Sequence, residues 1–475
     1  MGNFSFEDDQ EKADRHLSAL ELILSRLHDF SGPLESTFLD ADFPFSSEQQ
    51  ASMELLVSCH QHLRDNYLQQ LDHQQHRKIT LKKKQLALLV YRALQQMGQM
   101  QLYTSEAYLN PSAGFWTDCY RIFEFAEQMQ LTKLPVAVDG HERQSIEQLF
   151  GSILLFALTS SNQFRPREMQ KIFQLLGRAI TVAGTEVSAD LSQDQSKGLY
   201  VFDLHRDAPP VRFDDRPQDM PPADAGAYRY FNVLPVARSI HDFLQQPQEI
   251  GTGQLRAINS ALYTRVVKTL SQVKCRKFTR LRERRNIDGI IGLTNVLNHL
   301  RNSQGFALEE KADHTVKIYD PRISGQWGTL DVDLVPLDNE VLFQQPKMHS
   351  SHGGIDAHTR RIFDAAPALV SGQQTEIWEQ SEKTGGDSGN AVFFDDFAIQ
   401  DSCILGYSVV CDARNIKVRI GDIIGFLSDK ERLEIGLIRR IGAQCPEGKI
   451  QLGVELLAME SKLVHLTGPS RKKGL

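Results

Sequence analysis

The spacing of apolar residues changes once along this chain, and that change limits the class of fold it can adopt. Near the N-terminus, Leu17, Leu20, Leu24 and Leu27 recur every three or four residues, which is typical of a helix with one buried face. From Ile287 onward the apolar runs are short and are separated by Gly, Asp and Asn, as in antiparallel strands. The sequence therefore predicts an α+β protein with an N-terminal all-helical domain and a small antiparallel β-barrel after it.

Residues 9 to about 185 carry the helical pattern, and we assign residues 1–190 to the helical domain. Further helices are predicted over Ile79–Leu102, Gly114–Gln130, Glu142–Leu158 and Pro166–Ala183. Ser46 and Ser47, followed by Glu48, form a helix-capping pattern. The sequence has no strict period, so a helical bundle and a helical-repeat array both remain open.

The composition changes after Ala183. Gly198–Leu204 predicts a strand, and Asp207–Ala225 contains five prolines among several acids, so we interpret residues 191–232 as a strand plus a Pro-rich linker. Helical spacing returns at Leu234–Leu244 and at Gln254–Val273. These helices lead into a barrel domain that we place at residues 233–475.

Seven apolar runs predict strands of the barrel domain. They are Ile287–Leu293, Thr315–Asp320, residues 391–394, Ser402–Cys411, Ile416–Leu427, Leu433–Ile441 and Lys449–Leu457. The segment from about 301 to 376 has few apolar residues, and we interpret it as a long insertion into the barrel.

Length and composition exclude several classes of protein. With 475 residues and 41% hydrophobic content, the chain can bury the cores of two or three domains. No apolar run approaches the roughly 20 residues that a membrane-spanning helix needs, and the acidic N-terminus does not resemble an export signal. Six cysteines are too widely spaced for a disulfide scaffold or a metal site, so we expect a cytoplasmic protein with no metal and no cofactor.

One short stretch is strongly basic although the whole chain has a net charge of -7. Seven cations and one anion fall within twelve residues, and the cations are Lys274, Arg276, Lys277, Arg280, Arg282, Arg284 and Arg285. A single basic island with no interleaved aromatic residue other than Phe278 is atypical of nucleic-acid binding. We expect instead a small partner that carries two negative charges.

Two motifs give this stretch a family resemblance. Arg276 and Arg280 form an Arg-x-x-x-Arg pair, which Arg280 and Arg284 also fit, and Asp401, Cys403 and Gly406 form Asp-x-Cys-x-x-Gly. Together with the strands that follow, from Gln272 to Met459, they resemble the PilZ domain, a bacterial receptor module for cyclic di-GMP. The resemblance implies a PilZ-like barrel that binds this ligand through Arg276, Arg280, Arg284, Asp401, Cys403 and Gly406.

The residue types in these motifs suit such a ligand. An arginine can fork onto a phosphate or pair with a guanine edge, and a short carboxylate can accept guanine protons. The PilZ motif has a serine where this chain has Cys403, and a thiol is the poorer donor. Losing one such hydrogen bond costs about 1 kcal/mol, so we expect weaker binding rather than none.

We therefore expect a non-enzymatic bacterial receptor that binds cyclic di-GMP, signals through its helical domain to a protein partner, and neither binds nucleic acid nor inserts into a membrane. A PilZ-like adaptor that has lost its ligand is the first alternative. The second is a serine protease, because the sequence GGDSGN around Ser388 resembles the nucleophile loop of chymotrypsin-like enzymes. None of the histidines at 299, 314, 349, 352 and 358 has the sequence context of that family, and helices stand where a first barrel would be needed.

Arg419 to Asp422 is a second nucleotide-binding candidate. Its Arg-x-x-Asp pattern is similar to the inhibitory site that binds cyclic di-GMP on diguanylate cyclases. The alternative is an ordinary turn between two apolar strands, because Gly421 and Asp422 are typical turn residues.

Overall fold

A computed structural model describes most of the chain outside the proposed insertion. The described residues are 4–77, 81–137, 143–184, 186–189, 198–215, 227–245, 253–271, 279–303, 395–414, 416–427, 432–442, 448–459 and 461, with side chains except at 4–14, 73–77 and 253–258. Residues 304–394 lie outside this set, and with them most of the predicted insertion, the strands predicted at Thr315–Asp320 and 391–394, and Ser388.

The N-terminal part is helical, as the apolar spacing predicts. Its helices are α1 (Phe4–Ser36), α2 (Ser47–Arg77), α3 (Lys83–Glu106), α4 (Phe115–Gln128), α5 (Ile146–Leu158) and α6 (Pro166–Ala183). The predicted cap at the start of α2 is present, because the Ser46 hydroxyl accepts from the Gln49 backbone N–H at 3.3 Å. Among the described helices, none is both long and apolar enough to cross a bilayer.

Helix α3 lies at the centre of the helical part. Residues around its whole circumference are buried, including Val90, Leu94 and Met97, and it packs against α2, α4, α5 and α6. A helix that is buried on all sides must be surrounded by other elements. The helical part is therefore a bundle built around α3.

The region interpreted as a strand plus linker contains a small sheet. The sheet has four strands in the order β3-β6-β4-β5: β3 (Val187–Ser188) comes just before this region, and β4 (Leu199–Asp203), β5 (Val211–Arg212) and β6 (Tyr228–Asn232) lie within it. Strands β1 (Pro135–Val136) and β2 (Gln144–Ser145) form a separate two-stranded sheet earlier in the chain. Strand β4 confirms the predicted strand. Its Phe202 stacks on Tyr120 of α4 at 4.9 Å between ring centroids. This sheet thus packs onto the helical bundle, while the domain limits at 190 and 233 stay predictions.

Two helices and a closed barrel complete the described chain. Helices α7 (Leu234–Gln245) and α8 (Gly253–Ser271) confirm the predicted helical segments and pack on each other and on α6. The six barrel strands are β7 (Leu281–Ile291), β8 (Asp395–Cys403), β9 (Gly406–Asp412), β10 (Ile423–Leu427), β11 (Leu433–Ile441) and β12 (Lys449–Ala458). They close in the order β10-β11-β12-β9-β8-β7, all antiparallel, which confirms the predicted α+β class.

The structure corrects three of the predicted barrel strands. A turn at Ile404 and Leu405 divides the run Ser402–Cys411 between β8 and β9, and β10 covers only Ile423–Leu427 of the run Ile416–Leu427. The run Ile287–Leu293 was assigned to a single strand, but β7 ends at Ile291 and helix α9 (Leu293–Ser303) follows. Gly292, with φ +94°, makes the bend between them. Val296 and Leu300 of α9 pack against Ile290, so this helix extends the barrel core.

The barrel and the helical bundle meet at a loop after α1. Phe43 and Val418 form an antiparallel bridge through two backbone hydrogen bonds of 2.9 and 2.7 Å. Arg419 forms an ion pair with Asp42, and the Arg165 side chain donates to the Ile420 carbonyl at 2.8 Å. Buried residues of both parts form one continuous hydrophobic core. The barrel and the bundle are therefore packed directly against each other.

Candidate functional site

The basic stretch and the Asp-x-Cys-x-x-Gly motif lie side by side in the barrel. Strands β7 and β8 pair antiparallel, with Leu281 opposite Ser402 and Arg282 opposite Asp401. The motif itself forms the end of β8, the turn at Ile404 and Leu405, and the start of β9. The fold therefore brings two distant pieces of chain to one end of the barrel.

An ion pair joins the two pieces. The Arg280 guanidinium donates to the Asp401 carboxylate, Nη1 to Oδ1 at 2.8 Å, across 121 residues of sequence. The side chains are 42% and 27% exposed, so solvent reaches both groups. Exposed pairs of this kind contribute about 0–1 kcal/mol to stability. Their main effect is to orient a guanidinium at the barrel surface, where another anion can replace the carboxylate.

A bulge turns Asp401 outward. Phe397 and Ile399 of β8 are buried, and strict alternation would place residue 401 on the same inner face. The register shifts between Ile399 and Asp401, and the facing strand β7 shifts between Arg282 and Arg285. As a result Ser402 is buried and Asp401 is partly exposed. Bulges often re-aim a side chain in this way.

Three further arginines of the basic stretch are Arg276, Arg282 and Arg284. Arg282 and Arg284 are exposed on β7, and within the described part of the chain neither makes a hydrogen bond or an ion pair. Arg276 lies outside the described residues. Whether the first motif uses Arg276 with Arg280, or Arg280 with Arg284, therefore stays open.

Cys403 and Gly406 close the hairpin between β8 and β9. Cys403 is half-buried, carries a free thiol and pairs with Gly406 across the turn. A Cβ atom on Gly406 would lie 1.9 Å from the Val454 carbonyl oxygen on β12. The close approach of β12 thus explains this glycine without a ligand. The binding roles predicted for both residues remain predictions.

The second nucleotide-binding candidate is used inside the protein. Arg419 pairs with Asp42 and also donates to the Asp40 carbonyl at 2.8 Å, while the Asp422 carboxylate accepts from the Arg419 backbone N–H at 2.7 Å. Burial raises the pKa of Asp422. Gly421 has φ +95°, which fits the turn alternative. This segment is a turn that docks the barrel on the bundle.

Ser388, the nucleophile of the protease alternative, lies outside the described residues together with His314, His349, His352 and His358. Of the five histidines considered, His299 is described, and it lies on α9. In the described ranges no three His, Cys, Asp or Glu side chains are grouped as a metal site would require.

Sequence reasoning missed an amide cluster beside Asp401. The Gln451 amide on β12 donates to the Ser408 hydroxyl at 2.8 Å and to the Gln400 side-chain oxygen at 2.9 Å. Ser408 lies directly opposite Asp401 in the sheet. The alternation of buried Ile450, Leu452 and Val454 already implies that Gln451 faces outward. Its contact with β8 could not be predicted, because it depends on the order of the strands.

Two family models match the chain. The first is described as the N-terminal domain of the cyclic-di-GMP receptor FimW and matches residues 5–183. The second is described as the middle PilZ domain of the same receptor and matches residues 199–462. No curated protein matches the chain. The PilZ resemblance is confirmed, and its match extends beyond Gln272–Met459 to residues 199–462, while the helical part matches a separate N-terminal domain of the same receptor.

Proposed function

Because this chain belongs to the cyclic-di-GMP receptor FimW family, we propose that it binds cyclic di-GMP on the outer face of its barrel, where the start of β7 meets the end of β8. The proposal rests chiefly on one observation, the contact between Arg280 and Asp401. Arg276 and Arg284 are the two candidates for the second arginine of the motif, and Cys403 and Gly406 complete the site. The receptor works in the bacterial cytoplasm, as the cysteine spacing predicts.

The chemistry of ligand binding follows from these side chains. A phosphate of cyclic di-GMP replaces Asp401 as the partner of Arg280, since a guanidinium can donate two parallel hydrogen bonds to phosphate. Asp401 is then free to accept hydrogen bonds from the N–H groups of a guanine edge. Breaking the exposed ion pair costs only about 0–1 kcal/mol, so the exchange is energetically modest.

The junction between barrel and bundle supports signalling through the helical domain. Arg265 of α8 donates to the Gln163 carbonyl and lies within 3.7 Å of Glu168 on α6. Burial lowers the pKa of Arg265; Glu168 raises it, and the nearby cation Arg439 of β11 lowers it. The barrel itself is joined to the start of α6, where the Arg165 side chain donates to the Ile420 carbonyl at 2.8 Å. The helical domain then passes the signal to a protein partner.

Calorimetry on the full-length protein tests the proposal. Wild type is titrated with cyclic di-GMP beside Arg280→Ala, and the matched control is Arg414→Ala, which removes an exposed arginine paired with Asp412 at the opposite end of β9. Charge-assisted hydrogen bonds contribute about 1.5–3 kcal/mol, so Arg280→Ala should weaken binding about 10- to 100-fold. The control should bind like wild type.

An adaptor that no longer binds ligand is the second candidate. The observation that favours it is that Asp401 already occupies Arg280, while the Cys403 thiol makes no hydrogen bond in the described part of the chain. The same titration separates the two candidates. Absence of binding heat from wild type at several temperatures would support the adaptor and contradict the receptor.

A further inference from the structure

One row of residues crosses the outer face of five barrel strands. Arg282 lies opposite Asp401, Asp401 opposite Ser408, Ser408 opposite Gly453, and Gly453 opposite Arg440. Directly paired residues of antiparallel strands face the same side of a sheet. The basic end of β7 and an arginine on β11 therefore face outward along one continuous path.

Arg440 lies flat along the floor of this path. A Cβ atom on Gly453 would lie 3.2 Å from the Arg440 Cβ, 3.3 Å from its Nε and 3.8 Å from its Nη2. The side chain therefore runs over Gly453, toward β9, and only a glycine leaves this much room. It is partly buried there, not extended into solvent.

Arg440 is partly buried and has no counterion among the described residues, whereas Arg282 and Arg284, which also lack one there, are exposed. Arg439, the preceding residue, pairs with Glu455, while Arg280 pairs with Asp401 and Arg414 with Asp412. Among the described residues, none forms a hydrogen bond or an ion pair with Arg440. A partly buried cation without an anion is a site where a ligand anion gains more than at an exposed arginine.

The spacing of the two cations suits a ligand with two anionic groups. Neighbouring strands lie about 4.8 Å apart, so Gly453 is about 10 Å around the barrel from Asp401. The Arg280 guanidinium marks one end of this stretch and the Arg440 guanidinium the other. Between them Ser408 is buried beneath the Gln451 side chain, which also reaches Gln400, so this amide cluster and Gly453 form the base of the path.

We propose that Arg440 is the contact for the second phosphate of the cyclic dinucleotide, with Gly453 holding its guanidinium in place. The inference rests on the proposed function and extends it from the motif residues on β7 and β8 to β11. Ligand bound in this way bridges the motif and β11, the strand that contacts the bundle at the turn Ser161–Gln163. The bridge places the second phosphate next to the contact with the helical bundle.

The test compares two adjacent arginines in the full-length protein. Cyclic di-GMP is titrated into wild type, Arg440→Ala, Arg440→Gln, Arg440→Lys and the control Arg439→Ala, which removes the same charge from the next residue. We expect about 10-fold or greater weakening for the Ala and Gln variants, largely restored binding for Lys, and less than about threefold weakening for the control. The affinity of Arg440→Gln should also depend less steeply on salt concentration than that of wild type.

The melting temperature of each variant shows whether it is folded, and Arg280→Ala distinguishes failure of the Arg440 proposal from failure of the receptor proposal. If Arg440→Gln binds like wild type while Arg280→Ala loses affinity, the receptor proposal stands and the role of Arg440 is refuted. Equal weakening by Arg439→Ala and Arg440→Ala would also refute it, because the effect would then be general electrostatics. If wild type does not bind at all, both proposals fail. Gly453→Ala, which displaces the Arg440 side chain, should weaken binding in the same way as Arg440→Ala.

Discussion

Substitution of Gly406 by alanine separates packing from ligand binding at the hairpin of the candidate site. The added Cβ atom would lie 1.9 Å from the Val454 carbonyl oxygen, whereas real Cβ contacts essentially never fall below 3.0 Å. Strands β9 and β12 must therefore move apart by at least 3.0 - 1.9 = 1.1 Å at this point. The obstacle is backbone, so no side-chain rotation can relieve it.

The cost follows from the hydrogen bonds that this movement breaks. The Leu456 N–H donates to the Leu405 carbonyl at 2.8 Å, next to the pair formed by Gly406 and Glu455. A shift of this size takes such a bond beyond hydrogen-bonding distance. Losing one or two bonds, at about 1 kcal/mol each, and repacking the hairpin should destabilise the barrel by about 2–3 kcal/mol. The melting temperature should fall by roughly 4–12 °C.

Thermal unfolding of the full-length protein, with and without cyclic di-GMP, measures this effect. The control is Gly177→Ala in α6, where an added Cβ meets nothing within 4 Å and a helical alanine should stabilise by up to about 1 kcal/mol. We expect opposite shifts for the two variants. A Gly406→Ala protein that melts like wild type but no longer binds ligand would refute the packing explanation, because the glycine would then serve the ligand.

Two further predictions concern the helical bundle. Burial, and secondly the Glu35 carboxylate, raise the pKa of Glu106 well above its ordinary value. The folded protein therefore holds this proton more tightly than the unfolded chain does. Wild type loses up to about 1.4 kcal/mol of stability per pH unit as the pH rises from the unfolded pKa of about 4.3 towards the folded pKa. Glu106→Gln should therefore gain stability relative to wild type between pH 5 and 7.5, and parallel melting curves against pH would contradict this. Asp207 accepts from the N–H groups of Gly114 and Trp116 at 2.6 and 2.9 Å, so Asp207→Ala should cost about 1–2 kcal/mol. If this variant unfolds in urea like wild type, Asp207 does not stabilise the N-terminus of α4.

The sequence predicts the elements of this fold better than their connections. Helices α3 to α8 follow from apolar spacing, because their buried faces repeat with the helical period. Of the sheet around β4 only β4 was predicted: β3 fell within the predicted helical domain, and β5 and β6 within the predicted linker. Strands β3 and β5 are only two residues long and carry no periodic signal. Helix α9 was missed because its apolar residues continue the strand-like run that precedes Gly292.

At the candidate site, too, the sequence indicates which residues matter but not how the strands that carry them pair. The family resemblance implied that Arg280 and Asp401 bind one ligand, and the structure brings the two side chains together, although the ion pair between them was not predicted. The bulge that turns Asp401 outward leaves no trace in the sequence, because it depends on how β7 and β8 pair. Arg440 was not considered, because its position depends on the strand order β7-β8-β9-β12-β11, which apolar spacing does not encode.

A double-mutant cycle on ligand affinity tests most directly whether Arg280 and Asp401 form one binding site. Cyclic di-GMP is titrated into wild type, Arg280→Ala, Asp401→Ala and the double variant of the full-length protein. Since the two side chains are in contact, the double variant should lose less binding free energy than the sum of the single losses, by more than about 0.5 kcal/mol. Single losses that add within that margin, or single variants that bind like wild type, would contradict the account.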